Sequence, residues 1–74
     1  MDNETRLVIC VGNAGYEASL ELRKVYQVVL DETGESRGYL RVVDESGEDY
    51  LYLQELFIPV ELPTLVQEAV LAAR

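Results

Sequence analysis

The stretch GYLRVVDESGEDYLYL, Gly38 to Leu53, determines how the rest of the chain is organised. Tyr39–Val43 and Tyr50–Leu53 are rich in β-branched and aromatic residues, which fit a pleated, half-buried surface. Between them lies DESG, residues 44–47. An Asp at the first turn position accepts a bond from the backbone two residues on, and a Gly at the fourth supplies the positive φ of a following bulge. The stretch therefore predicts a tight β-hairpin.

Two pairings of this hairpin are consistent with the sequence. A three-residue loop pairs Val42 with Tyr50, whereas a four-residue loop ending at Glu48 places Val42 on the same face as Leu51. Turn chemistry favours the first pairing and the sorting of hydrophobic residues favours the second. Because a slip of one residue reverses every side chain, the two exclude each other. We favour the three-residue loop.

Other strands must join the hairpin, because a lone hairpin is marginal in water. Residues 7–11 form a continuous apolar run with two Val and one Ile, which is typical of a buried strand. Residues 24–30 are dense in β-favouring types, and we interpret them as a strand rather than as part of a helix. Residues 58–62 predict a further strand. Because proline cannot donate a ladder bond, this strand either lies at an edge of the sheet or begins at Pro59.

The segments between the strands predict loops and two short helical elements. Residues 12–18, which include Tyr16, and residues 31–38 are interpreted as loops because of their glycines and polar residues. Residues 54–57 predict a single helical turn. An apolar stripe predicts a short C-terminal helix over about 65–73, which must dock on its own barrel or on a partner because it is marginal alone.

Composition and size predict one small domain spanning residues 1–74, with its core at about 7–62. A chain this short buries only ~60% of its unfolded surface. Cys10 is the single cysteine and there is no histidine, which excludes an internal disulfide, a Cys/His zinc site and a histidine base. The lone cysteine, an acidic start and the lack of a long apolar run predict a cytoplasmic protein that does not bind membranes.

The formal net charge is −8, which disfavours direct binding to nucleic acid or anionic lipid. The charge is also unevenly distributed. Residues 1–41 hold seven acids and five bases, whereas residues 42–74 hold seven acids and one base. Solubility alone accounts for an acidic surface. The alternative is an acidic surface that meets a basic partner.

The order of these elements, five short strands with one helical turn before the last, predicts a small, partly open barrel. It resembles the SH3-like barrels, and three stretches are similar to a group of small uncharacterised bacterial proteins of that fold: GYEASLELRKVY (15–26), GYLRVVDESGEDYLY (38–52) and LFIPVELP (56–63). The resemblance implies the fold and a bacterial cytoplasmic origin, and it implies no activity. One departure is Leu53, where members of the group tend to have proline after the Tyr-Leu-Tyr run.

The carboxylates at the hairpin tip are the candidates for acid chemistry: Asp44, Glu45, Glu48 and Asp49. A catalytic acid needs an apolar pocket that raises its pKa, and we expect a solvated turn to offer none. The acids also lack the ligand spacing of a calcium loop. No serine has a histidine to activate it. We therefore predict no catalytic residue, no metal site, no cofactor and no enzymatic activity.

The tyrosines are the remaining feature of the sequence. We expect most of the five to serve the core, because tyrosine buries a large area while keeping a polar tip. The alternative is a contact surface for a basic partner, formed by tyrosines and nearby acids. The residues predicted for it are Tyr16, Tyr50, Tyr52, Glu48, Asp49 and Glu55.

Two functions of different classes follow. The first is a non-catalytic protein-interaction module that binds a protein partner through tyrosines and the acidic C-terminal half. The alternative is an inhibitor or antitoxin-like regulator that occupies a basic nucleic-acid-binding surface of its partner by charge mimicry. Charge mimicry predicts affinity that falls steeply with salt, whereas a tyrosine-centred interface should lose little. Weak homodimerisation through the helix at 65–73 or an open edge strand is a third prediction.

Overall fold

The computed structural model describes residues 6–61 together with residues 63, 66, 68 and 69. Five strands form one antiparallel sheet in the order β4-β3-β2-β1-β5. The mainly β architecture predicted from the sequence is therefore confirmed. The strands are β1 Arg6–Cys10, β2 Val25–Val29, β3 Tyr39–Val43, β4 Asp49–Leu53 and β5 Phe57–Val60.

The β3–β4 hairpin has the predicted three-residue loop. Val42 lies opposite Tyr50. The backbone N–H of Ser46 donates to Oδ1 of Asp44 at 2.9 Å, which is the local bond expected of Asp in a turn. Gly47 has φ +86°, a conformation that glycine adopts without steric cost. Turn chemistry, and not the sorting of hydrophobic residues, has set the register.

One face of the sheet carries the hydrophobic core. In an antiparallel pair, directly opposed residues point to the same side, so the register assigns alternate positions of every strand to this face. Leu20 covers the face from the loop between β1 and β2 and is fully buried. Cys10 on β1 and Phe57 on β5 are both buried in this core. The core consists of Val8, Cys10, Leu20, Tyr26, Val28, Val42, Tyr52 and Phe57.

The sheet is curved but does not close, and β4 and β5 form its two edges. The ring of Tyr52 on β4 meets the ring of Phe57 on β5 with centroids 6.2 Å apart, so the core faces of the two edge strands approach each other. A closed barrel is not formed by the described strands. Of the two alternatives for the strand that contains Pro59, the edge position is confirmed, because this strand is β5, which pairs only with β1 among the described strands.

A short helix, α1 Glu32–Ser36, replaces the irregular loop that the sequence predicted for residues 31–38. Asp31 begins it by accepting the backbone N–H of Gly34 on Oδ1 at 2.9 Å. Gly34 looked like a loop residue, but it is buried where α1 packs on the sheet. A Cβ at Gly34 would lie 2.9 Å from Cδ2 of Leu51, so a glycine fits this close approach. The prediction of a loop was wrong because the Asp31 cap stabilises the helix more than Gly34 destabilises it.

The remaining helical predictions have different outcomes. The single turn before the last strand is confirmed as a 3-10 turn at Gln54–Leu56. Most of the helix predicted for about 65–73 lies outside the described residues, although Val66, Glu68 and Ala69 have helical backbone and are exposed. Within the part of the chain that the structure describes, no helix is both long and apolar enough to cross a membrane.

The first prediction concerns Leu20, which is 0% exposed. Leu20→Ala should lower the free energy of unfolding by about 2–5 kcal/mol, because it removes buried methyl groups and leaves a cavity. A domain of this size has only ~3–5 kcal/mol to lose, so the variant should be largely unfolded in water. Urea denaturation followed by circular dichroism measures the change.

Leu22→Ala in the same loop is the matched control. Leu22 is 43% exposed, so its truncation should change the free energy of unfolding by no more than about 0.5 kcal/mol. Equal losses for the two variants would contradict the assignment of Leu20 as the residue that covers the core.

Candidate interaction site

An open groove of about 390 Å³ lies between the β1–β2 loop and the β3–β4 hairpin. Tyr50 and Tyr52 reach it from β4 because they occupy alternate positions on the same face of that strand. The loop supplies the opposite wall. The side chains that line the groove include Tyr16, Ser19, Asp44, Ser46, Tyr50 and Tyr52. Three of the residues predicted for a contact surface are thus brought together.

Tyr16 packs edge-on against Tyr52, with ring centroids 5.1 Å apart and an angle of 86° between the rings. This T-shaped arrangement is favourable because the positive edge of one ring meets the negative face of the other. Tyr52 is buried beneath it, whereas Tyr16 remains exposed. The backbone C=O of Tyr16 accepts the N–H groups of Ser19 and Leu20, each at 2.9 Å, which fixes the loop that carries Tyr16. The groove therefore has a solvent-facing aromatic wall.

Asp44 is buried, with 2% of its surface exposed, although it belongs to the hairpin turn. Its Oδ2 accepts the hydroxyl of Tyr52 at 2.6 Å. Its Oδ1 accepts the hydroxyl of Ser46 at 2.6 Å in addition to the Ser46 N–H. The expectation that all four acids of this turn are solvated was wrong for Asp44, because Tyr52 lies directly beneath the turn and draws the carboxylate inward.

The ionisation of this pair follows from its contacts. Burial pushes the pKa of Asp44 upward, but the hydrogen bonds from Ser46 and Tyr52 outweigh burial and leave the pKa below its ordinary value. Burial, and then the bond to Asp44, raises the pKa of Tyr52 to about 12. Asp44 is therefore a charged acceptor and Tyr52 a neutral donor at neutral pH. This arrangement holds structure and does not fit a general acid.

Glu45 makes a second tie between the turn and the β1–β2 loop. The hydroxyl of Tyr26 donates to Oε2 of Glu45 at 2.5 Å, and Nζ of Lys24 lies 2.7 Å from the same oxygen. The backbone N–H of Glu45 also donates to the C=O of Ser19 at 3.0 Å. Burial, followed by the bond to Glu45, raises the pKa of Tyr26. Because both walls of the groove are tied together, its shape is fixed before any ligand arrives.

Glu48 lies at the rim of the groove. It accepts the hydroxyl of the exposed Tyr50 on Oε1 at 2.9 Å, and this bond is the main reason why the pKa of Tyr50 is raised. Asp49 is on the opposite face of β4, where Nη1 of Arg41 lies 3.4 Å from its Oδ1. Glu55 is exposed on the 3-10 turn beyond the far end of β4 and does not line the groove. The predicted ring of acids around the tyrosines is therefore reduced to Glu48.

The tyrosines divide differently from the sequence prediction. Tyr26 and Tyr52 are buried, whereas Tyr16, Tyr39 and Tyr50 are exposed, so the expectation that most serve the core was wrong. Tyr39 lies on the outer face of β3, opposite Leu53, and Tyr16 lies in the β1–β2 loop, so neither occupies a core position of a strand. Asp44 was missed as a groove residue, although the three-residue loop brings it opposite Glu48, on the same face of the hairpin as Tyr50 and Tyr52.

Cys10 is a free, buried thiol. No three His, Cys, Asp or Glu side chains among the described residues are grouped so that they could hold a metal ion. The groove offers a ligand the faces of its tyrosine rings and the hydroxyl groups of Ser19 and Ser46. The carboxylate of Asp44 already accepts hydrogen bonds from Ser46 and Tyr52.

Comparisons with known proteins do not assign a relative. No protein-family model, curated protein or solved structure matches the chain. The resemblance to small bacterial SH3-like proteins thus stays a prediction, and the function has to be argued from the groove itself.

The second prediction concerns alkaline pH. The pKa of Tyr52 is raised to about 12 in the folded state, whereas an unfolded tyrosine ionises near 10. Its contribution to stability is thus complete below pH ~10 and is lost as the pH rises toward 12, by on the order of 2 kcal/mol for this group. Urea denaturation at pH 8, 10 and 11.5 should show the falling midpoint.

Tyr52→Phe should remove part of this dependence, because phenylalanine has no proton to lose. Tyr39→Phe, at an exposed tyrosine on the same hairpin, is the control for the loss of a hydroxyl. A Tyr52→Phe variant whose stability falls between pH 8 and pH 11.5 as steeply as that of the parent would contradict the role given to the Tyr52–Asp44 bond.

Proposed function

We propose that this chain is a non-catalytic interaction module, built as an SH3-like barrel, that binds a protein partner through a lysine or arginine side chain held in the tyrosine groove. The observation that carries the proposal is the meeting of Tyr16, Tyr50 and Tyr52 in one open groove with Glu48 at its rim. A cytoplasmic location stays a prediction from the sequence.

The strand connections support the SH3-like barrel. Strands β1 to β4 follow one another across the sheet, and β5 returns after a 3-10 turn to pair with the other side of β1. The contact between Tyr52 and Phe57 shows how far the sheet curls, since the two residues belong to opposite edge strands. The groove lies beside this curled region, where the β1–β2 loop faces the β3–β4 hairpin.

The chemistry of the groove favours a cation. The face of a tyrosine ring carries partial negative charge and attracts an ammonium or guanidinium group within about 6 Å. The protein itself shows such a contact, because Nζ of Lys24 lies 5.7 Å from the ring centroid of Tyr26. Residues 42–61 contain six acids and no base, so an arriving cation meets no repulsion from this part of the chain.

Glu48 completes the case for a cation. Its Oε1 is bound by Tyr50, and no described residue donates to its Oε2. A guanidinium or ammonium group beside the Tyr50 ring would find that oxygen as an acceptor, and charge-assisted hydrogen bonds of this kind are the strong ones. A neutral ligand would gain much less from the same position.

The same geometry argues against catalysis. The hydrogen bonds that hold the pKa of Asp44 low keep its carboxylate charged, so it does not donate a proton near neutral pH. Neither serine hydroxyl of the groove has a histidine to activate it, and the Asp44 carboxylate that binds the Ser46 hydroxyl is a weak base because its pKa is lowered. A binding role needs none of these groups to react.

Charge mimicry is the weaker alternative. It needs carboxylates that are free to imitate phosphates. Asp44 is already bound by Tyr52, and Glu45 is already bound by Tyr26 and Lys24 of the same chain. The other exposed acids in residues 42–61 are dispersed: Glu48 and Asp49 lie on opposite faces of the hairpin, Glu55 is on the 3-10 turn and Glu61 follows β5. This distribution favours a localised interaction at the groove.

The third prediction tests the groove. A peptide with central Lys and Arg residues should shift the amide resonances of Tyr16, Ser46 and Tyr50 in an NMR titration. The same peptide with Gln at those positions should not bind. Tyr50→Leu should weaken binding by roughly threefold to tenfold, because it removes one cation–π contact but leaves an exposed apolar side chain in place.

Tyr39→Leu is the matched control, because Tyr39 is exposed on the opposite face of the hairpin, and it should bind as the parent does. Affinity that collapses between 50 mM and 500 mM salt and ignores Tyr50→Leu would instead support charge mimicry. Resonance shifts that leave Tyr16 and Tyr50 untouched would overturn the proposed site.

A further inference from the structure

The free edge of β4 lies directly beside the tyrosine groove. The N–H of Asp44 bonds to the C=O of Glu48 at 3.1 Å, and the N–H of Gln54 bonds to the C=O of Gly38 at 3.0 Å, one at each end of the hairpin. Hydrogen-bonded pairs alternate along an antiparallel ladder. Tyr50 and Tyr52 therefore exchange backbone hydrogen bonds with β3, and their N–H and C=O groups point toward that strand.

It follows that the backbone N–H and C=O groups of Asp49, Leu51 and Leu53 point away from β3. Among the described residues, the only bond to these groups is that of the Leu56 N–H, which donates to the C=O of Leu53 as the first bond of the 3-10 turn. The three N–H groups and the two C=O groups that stay free, those of Asp49 and Leu51, lie in one line, which is the template that a further strand needs. An added strand would give these unpaired N–H and C=O groups backbone hydrogen-bond partners.

The other edge of the sheet, the described strand β5, does not offer free backbone donors at the positions that face outward. The N–H of Val11 bonds to the C=O of Leu56 at 2.8 Å, so by the same alternation the nitrogens of Phe57 and Pro59 point to the free side of β5. Pro59 has no N–H, and the N–H of Phe57 already bonds to the C=O of Gln54. That side of β5 has no free donor at either position, so β4 is the edge suited to strand addition.

The two faces that border the β4 edge differ in chemistry. On the groove side lie Tyr50, Tyr52 and the carboxylate of Glu48. On the outer side lie Leu51 and Leu53, which are 43% and 42% exposed. Arg41, the base on that side of the hairpin, is bound to Asp31 at 2.9 Å and to Asp49 at 3.4 Å. The edge therefore presents an anionic aromatic side and an apolar side.

We propose that a partner protein binds by adding an extended segment to β4 as a sixth strand. Its basic residues would face the groove and alternate with apolar residues that cover Leu51 and Leu53. The period-two alternation of a strand delivers both sets at once. This inference rests on the proposed function for its basic residues, and it adds the backbone pairing and the apolar positions, which the groove alone does not require.

A second copy of this chain fits the edge less well than a basic segment. Two β4 strands paired with each other would bring the acids of both hairpins together, and each chain carries a net charge of −8. Like charges at such a seam are repulsive. Charge complementarity thus selects a basic extended segment, and self-association becomes one outcome of the test.

The experiment uses a six-residue peptide of alternating Lys and Val and two N-methylated forms of it, one methylated on the Val amides and one on the Lys amides. In antiparallel addition the residues opposite Leu51 are valines, so the Val amides face β4. Methylating them should lower the affinity by about tenfold or more, since each loses a backbone bond and introduces a clash. Methylating the Lys amides should change it by less than about threefold.

A protein variant tests the same edge. Leu51→Pro removes an N–H that faces outward and leaves the β3–β4 bonds intact, so it should abolish binding of the peptide. Leu51→Thr keeps the N–H and should bind within about threefold of the parent. Should Leu51→Pro fail to fold, hydrogen exchange of the parent decides: the amides of Asp49, Leu51 and Leu53 should exchange at least about tenfold more slowly with peptide bound.

The outcomes separate this inference from the proposed function. A peptide that does not bind at all overturns both. Binding that shifts Tyr16 and Tyr50, tolerates both methylated peptides and leaves the three edge amides unprotected overturns strand addition and keeps the groove. Protection that grows with protein concentration in the absence of peptide identifies a second copy as the occupant, and this also overturns the proposal.

Discussion

The hydrogen bond from Tyr52 to the buried carboxylate of Asp44 is the interaction on which the site depends. Tyr52 belongs to the core and Asp44 to the hairpin turn, so the bond draws the turn down onto the core. Glu45 then reaches the β1–β2 loop, where Tyr26 and Lys24 bind it. Because a buried carboxylate is costly unless its oxygens are satisfied, each donor around Asp44 also restricts where the turn can lie.

Much of the fold could be predicted because local chemistry and the global arrangement agree. The β-branched runs became strands, and the turn residues 44–47 set the register of the hairpin. The helix α1 could not be predicted from glycine content, since Gly34 is required by the approach of Leu51 and not by a loop. A sequence shows which residues permit a close contact, but the contact itself comes from segments that are distant along the chain.

The candidate site was predicted in part. Tyr16, Tyr50 and Tyr52 do share a groove, but Asp49 lies on the other face of β4 because side chains alternate along a strand. Asp44 was classed with the solvated acids because its burial depends on the hydroxyl of Tyr52, eight residues further along the chain. The SH3-like barrel and the partner remain proposals, and they rest on the curl of the sheet and on the charge around the groove.

The two borders of the sheet are unequal, and this limits how the molecule can assemble. Pro59 turns its ring nitrogen to the outside of β5 and the N–H of Phe57 is already bound, so the described strand β5 has no free donor at these two positions. A fibre would need the β4 edge of each copy to pair with the β5 edge of the next. Because only the β4 edge is suited to pairing, copies of the chain cannot add to one another indefinitely. Strand pairing at β4 would therefore end after a single step, giving a discrete complex in place of an open polymer.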